Sequence, residues 1–238
     1  MEQFSYELEA LKGVIIRPLI VFVLLATALF TIGTPPLGTQ LFLSAKAFLI
    51  PAGVSMVVLG PSTAFVAPLL MVVLVALLAT FPYMVYSFVR FLTPALRERE
   101  RRVLRFVVAS SLILFYLGCA LAYFIIIPET FSILYSFAIP LAVTPFFSLD
   151  AFISSVFLLT LGVGVLFLLP VVMVLLTYIG VLPQTFWFTH WRGAVLAALI
   201  FSAIITPDGT GVTMLFLSAP LSALYVAGAL MCRRTVTS

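Results

Sequence analysis

Charge is what this chain has least of. Only 8% of its 238 residues are Asp, Glu, Lys or Arg, whereas 64% are hydrophobic and the mean hydropathy is +1.31. A soluble globular chain carries about a quarter charged residues, so this composition excludes one. Cysteine is nearly absent as well. Cys119 lies inside an apolar run and Cys232 beside Arg233, far apart in sequence, which excludes a disulfide framework and offers no metal spacing. Histidine occurs once, as His190 between Trp187 and Trp191, and reads as a membrane-interface residue rather than a base. No nucleophile motif or glycine-rich phosphate loop occurs. The chain is therefore expected to be no enzyme and to need no metal and no cofactor.

Long apolar runs are what it has instead. A bilayer core of about 30 Å takes roughly 20 helical residues. Six such runs are read, at about 14–32, 62–89, 103–127, 151–178, 193–207 and 212–231, in a single polytopic membrane domain over 1–238. The fold expected is an all-α integral membrane protein with six transmembrane helices, several of them kinked by proline and the last two short. Residues 1–12 read as an amphipathic segment ending at Gly13, which puts Pro18 in the first turn of the first span, where its missing N–H matters least. The start is acidic (Glu2, Glu7, Glu9) and lacks a small-residue cleavage site, so the first span is read as uncleaved. Residues 39–61 read as irregular, and 128–150 as holding a short extra helix outside the bilayer. Pro82 and Pro170 predict kinks. From Gly193 to Pro207 only 15 residues are available, reaching about 22 Å.

The basic residues orient these spans. Lys12, Arg17, Arg90, Arg97, Arg99, Arg101, Arg102, Arg105, Arg192, Arg233 and Arg234 fall on one side of a six-span chain and only Lys46 on the other. Lys and Arg concentrate on the cytoplasmic side. Both termini are therefore expected in the cytoplasm, and the net charge of +4 reflects topology rather than nucleic-acid binding.

Half of the basic residues flank Glu98 and Glu100 in one loop, and those two acids admit two readings. Either they are solvated and offset their arginine neighbours, or one is offered to a guanidinium, which a carboxylate binds with paired, charge-assisted hydrogen bonds. Phe91 is an interfacial anchor or the floor of such a site. Asp208, in Thr206-Pro-Asp-Gly209, is foremost a turn residue. Glu129 is favoured by the helix dipole just after Pro128.

The stretch Phe91-Leu-Thr-Pro-Ala-Leu-Arg-Glu-Arg-Glu100-Arg-Arg102 resembles the first cytoplasmic loop of the TatC family, the core membrane subunits of the twin-arginine protein translocase. The likeness extends through Pro82-Tyr-Met-Val-Tyr86, Leu114-Phe-Tyr-Leu-Gly118, Ala122-Tyr-Phe124, Pro128, Thr206-Pro-Asp208 and Pro220. It implies a receptor for signal peptides bearing consecutive arginines, with Glu100 and Phe91 in the binding loop. Glu9 matches a second, N-terminal family glutamate, although pairing Leu11-Lys12 with the family's Leu-Arg puts Ala10 there instead. Pro82, Pro170 and Asp208 become structural or partner-docking candidates. The implied partners are twin-arginine signal peptides of folded precursors, single-span TatA/TatB-type subunits, further copies of the chain and the lipid bilayer, in the cell membrane. Departures from the family pattern include Leu168 and Val226 where glutamates are usual, Lys46 for an outer-loop proline, and Ser87 for a larger polar group. Two other functions compete. A small secondary transporter would use the proline-broken spans, yet mid-bilayer ionisable residues are missing. A scaffold would use the basic loop only to hold anionic lipid.

Overall fold

The computed structural model describes residues 2–33, 35–50, 55–92, 98–137, 146–206 and 211–236, with the backbone alone at 2–13, 55, 91–92, 98–106, 147 and 234–236. The chain forms two compact units, Met1–Ala47 with Gly60–Leu112 and Phe48–Leu59 with Ile113–Ser238.

The first unit is built on α1 (Glu2–Thr31) and α3 (Thr63–Leu92), which pack side by side. α1 runs unbroken through Gly13 and Pro18, so the expected break at Gly13 does not form and Pro18 is an interior residue. A helical glycine costs about 1 kcal/mol and a proline about 3. Ending the helix inside hydrocarbon would cost several kcal/mol for each unpaired backbone group. Along α1, Val14, Pro18, Phe22, Leu25 and Leu29 are the shielded positions at helical spacing, while most intervening residues are exposed. Phe30 meets Phe65 edge-on at 5.6 Å, so the end of α1 lies beside the start of α3 and the two run antiparallel. α3 continues as one helix through Pro68 and Pro82.

Between them, α2 (Leu37–Leu49) replaces the irregular region expected from residue 39 onward. Its buried positions, Gly38, Phe42, Ala45 and Leu49, form one helical stripe that the prolines and glycines flanking it obscure in the sequence. Gly38 sits so tightly on α3 that a Cβ there would lie 3.1 Å from the Pro68 carbonyl oxygen. The strand β1 (Ser55–Val57) follows α2 and belongs to the second unit.

α4 (Glu98–Leu121) begins in the first unit and continues in the second through a five-residue π turn, Ala122–Ile126, into α5 (Ile127–Ser136). The sequence suggested that Pro128 ends or bends this span near Ile127. Instead the apolar helical stretch reaches Ser136. The π turn explains how: Ile127 N–H bonds the Ala122 carbonyl, five residues back, which widens the turn where the Pro128 ring enters. The helix outside the bilayer expected in 128–150 is thus largely a continuation of the third span. Strand β2 (Phe146–Ser148) pairs in parallel with β1, a minor amendment to the all-helical expectation; outside hydrocarbon, short extended segments pair their backbones this way.

α6 (Leu149–Leu166) and α7 (Leu169–Tyr178) form the fourth span, interrupted at 167–168, two residues before Pro170, as the sequence predicted. α6 runs antiparallel to the α4–α5 rod, with Phe131 at 5.7 Å from Phe152 and Gly164 against Cys119. Gly180, at φ +81, closes α7 with Gly180 N–H bonded to Thr177 and Val181 N–H to Leu176. α8 (Gln184–Thr189) leads into α9 (Trp191–Ile205) and α10 (Val212–Val236). Among the described residues five helical stretches are long and apolar enough to cross a membrane, and α9 is a shorter apolar helix. α10, with an apolar stretch from Val212 to Arg233, is of full length, so only one of the last two helices is short. Pro220 is accommodated within it without a break.

α8 is held by hydrogen bonds as well as by packing. Trp187 Nε1 donates to Thr177 Oγ1 (2.9 Å), Thr177 Oγ1 donates to the Met173 carbonyl (2.9 Å), and Tyr225 Oη donates to the Trp187 carbonyl (2.7 Å). Met173, Val174, Tyr225, Ala229 and Cys232 form the apolar cluster beneath. Tyr225→Phe removes only the hydroxyl and should lower stability by about 1 kcal/mol. Equilibrium unfolding in detergent measures this, and an unchanged midpoint would mean that the bond contributes nothing.

Candidate functional site

Antiparallel pairing of α1 and α3 brings the start of one to the end of the other. That shared end carries Glu9 and Lys12 on α1, Tyr83, Tyr86, Arg90 and Phe91 on α3, and, after residues 93–97, the start of α4 with Glu98 and Glu100. Tyr83 and Tyr86 have ring centroids 6.5 Å apart, and Tyr86 and Phe88 are exposed, an aromatic band of the kind found at membrane–water interfaces. Arg90 is exposed.

Helical spacing sorts the acids. The shielded stripe of α4 runs through Val107, Ser111, Phe115 and Gly118. Glu100 lies seven residues before Val107, in line with that stripe. Arg102 and Arg105 lie in line with exposed Ala109 and Tyr116, and Glu98 falls on their side. On α3 the buried positions Ala76, Thr80 and Ser87 extend four residues further to Phe91. Glu100 and Phe91 thus hold backbone positions on the inward faces of their helices. Glu9 does not: the stripe of α1 that turns towards α3 extends back from Pro18 and Val14 to Leu11 and Glu7. Glu7 is the acid in that register. The sequence reading passed it over, although its spacing of seven from Val14 was available.

The other candidates fall elsewhere. Pro82 is half-buried inside α3. Pro170 is buried at the α6–α7 break, with Gly228 of α10 so close that a Cβ there would meet the Pro170 Cα at 3.0 Å. Asp208 lies outside the described residues. His190 joins α8 to α9, stacks on Phe186 at 4.2 Å and has Nδ1 3.0 Å from the Phe186 carbonyl oxygen. Neighbouring Arg192 lies 5.6 Å from the Trp191 ring centroid. Both cysteines are buried and neither is in a disulfide. Among the described residues no group of three or more His, Cys, Asp or Glu could hold a metal ion.

The long apolar helices define a multi-pass membrane protein. A family model described as "Sec-independent protein translocase protein (TatC)" matches residues 7–220. The chain belongs to the TatC family, the receptor components of a protein translocase. It is 38% identical over 189 residues to the Sec-independent protein translocase protein TatC of Cenarchaeum symbiosum (strain A), covering 79% of this chain and 72% of that one. To the protein of the same description from Synechocystis sp. it is 30% identical over 180 residues, covering 75% and 70%. Its fold matches the crystal structure of the twin arginine translocase receptor TatC with a TM-score of 0.82 and 26% identity, over 97% of this chain and 99% of that one.

Proposed function

We propose that this chain is the receptor and core subunit of its translocase. In this reading it binds twin-arginine signal peptides at the shared end of α1, α3 and α4, and works with single-span TatA/TatB-type subunits and further copies of itself to export folded proteins on the proton motive force. The observation that carries the reading is the register of Glu100, which continues the inward stripe of α4 while Arg102 and Arg105 share the exposed side. A carboxylate so placed accepts a guanidinium in paired hydrogen bonds. Phe91 supplies an apolar floor on the neighbouring helix, and an acid of α1, Glu9 or the better-aligned Glu7, takes the second arginine. The work is binding and conformational change. No bond of the substrate needs to break.

Crosslinking a twin-arginine signal peptide to membranes containing the chain tests this. Glu100→Ala should remove most of the crosslink, and Glu7→Ala should weaken it more than Glu9→Ala. A full-strength crosslink to Glu100→Ala would refute the site.

The basic bias puts the Glu100 end and both termini in the cytoplasm. α1 ends, and Lys46 on α2 follows, at the opposite end of the first unit. Cysteines introduced at Lys46 and Asp150 should therefore react with a membrane-impermeant reagent added outside intact cells. Labelling of either position only after lysis would overturn the six-span orientation.

A further inference from the structure

The π turn in the α4–α5 rod has a consequence for its carbonyls. In a regular helix the Tyr123 carbonyl would accept from Ile127 N–H, but that group bonds Ala122 instead. The next donor in a π arrangement would be residue 128, a proline without an N–H. The Tyr123 carbonyl thus loses both its α-type and its π-type donor. Pro128 also removes the ordinary donor to Phe124, so two successive carbonyls lack the partner a regular helix provides.

α6 packs against this turn. The register set by Phe131 beside Phe152 and by Gly164 against Cys119 puts Thr160 opposite Tyr123. Thr160 is 2% exposed, and its hydroxyl has no protein hydrogen-bond partner. Fully buried Thr130 shares that lack, whereas three other buried threonines do not. Thr80, Thr177 and Thr206 each donate to the carbonyl four residues back, at 2.7, 2.9 and 2.8 Å. Thr160 has the same option at Val156 and does not take it. A buried hydroxyl without a partner is costly, and so is a buried carbonyl without one.

We propose that Thr160 and the π turn form a buried hydration site, in which one water molecule bridges the Thr160 hydroxyl and the Tyr123 carbonyl. Internal waters in proteins serve groups of this kind and need two to four polar partners. Thr160 and Tyr123 offer two oxygens at one level of the helix pair, enough for one such water. The water completes the hydrogen bonding of the π turn and lets a proline sit within a 30-residue apolar helical stretch without leaving its backbone unpaired. The third span then carries its widened turn as a hydrated joint rather than a dry defect.

The test compares Thr160→Val with Thr160→Ser in the full chain, by thermal unfolding in detergent. If the site holds water, Val strips a partner from it and lowers Tm by about 2–4 °C, while Ser keeps Tm near that of the unsubstituted chain. If the hydroxyl is simply buried dry, Val is the better residue and Tm stays or rises, which overturns the proposal. A high-resolution map of the unsubstituted protein gives a second readout that does not depend on the variant folding. It should show one water within about 3.2 Å of both the Thr160 Oγ1 and the Tyr123 carbonyl oxygen. Protein atoms filling that space overturn the proposal as well.

Discussion

Glu100→Arg should weaken binding of a twin-arginine signal peptide by about 100-fold while leaving the chain folded. Hydrogen bonds to a charged group are each worth about 1.5–3 kcal/mol, and a factor of 100 corresponds to about 2.8 kcal/mol. Losing a paired carboxylate–guanidinium contact accounts for that without counting the repulsion the new arginine adds. The folded chain loses less. Glu100 sits in the first turn of α4, where an acid gains about 0.3–1 kcal/mol from the helix dipole. Glu98→Arg is the informative control, because it makes the same change of charge on the arginine-rich side of the same turn. A site at Glu100 predicts a loss there many times larger than at Glu98. Equal losses would mean that the peptide responds to the net field of the loop and not to one carboxylate. Replacing the Arg-Arg pair of the peptide by Lys-Lys should cost about tenfold against the unsubstituted chain and nothing further against Glu100→Arg, since an ammonium cannot form the paired contact. Titration of a fluorescent signal peptide into chain held in lipid nanodiscs measures all four combinations.

Most of this architecture was legible because the apolar runs are long and the charges few. The break before Pro170 was readable because proline removes one N–H and crowds the carbonyl four residues back, whatever surrounds it. The same rule misled at Pro18 and Pro128. In hydrocarbon the penalty for stopping a helix exceeds the penalty for carrying a proline, and at Pro128 a π turn absorbed the ring. α2 was missed for another reason: Gly38, Phe42, Ala45 and Leu49 mark a clear stripe, but Pro35, Pro36, Pro51 and Gly53 around them read as loop. In the candidate site, the residue types of Glu100 and Phe91 were readable from the loop itself. Their inward register was not, because it depends on which face of α3 and α4 is buried further along each helix, from Ser87 and Val107 onward. Glu7 shows the same dependence. Nothing local separates it from Glu9, and the shielding of Val14 and Pro18 does.

Gly164→Val should be the most damaging single change to the fold, lowering stability by about 3 kcal/mol. At Gly164 a Cβ would collide with the Cys119 sulfur and lie 3.1 Å from Phe115 Cε2, and all three residues are buried at the crossing of α4 and α6. Beside Cys119 on α4 the arrangement reverses. Gly118 leaves room for Phe167, whose Cγ would stand 2.7 Å from a Cβ there. Each helix thus contributes one glycine and receives one bulky neighbour, so neither can move away from an added methyl without unseating the other contact. This explains why a mid-helix glycine, a liability of about 1 kcal/mol by propensity, is used where alanine would fit the helix better. Cys119 is the other half of the contact, which makes the prediction sharper than a loss of stability. Cys119→Ala alone should cost about 1 kcal/mol for the buried sulfur it removes. In that background Gly164→Ala should become neutral or stabilising, because the sulfur that blocked the methyl has gone and the Phe115 ring edge at 3.1 Å has only a few tenths of an ångström to give against the propensity gain. The double-mutant cycle should therefore give a favourable coupling of about 1–2 kcal/mol. Equilibrium unfolding of the four proteins in mixed micelles would measure it. Strict additivity would show that the helices separate freely at this crossing and that the glycine is not what sets their distance.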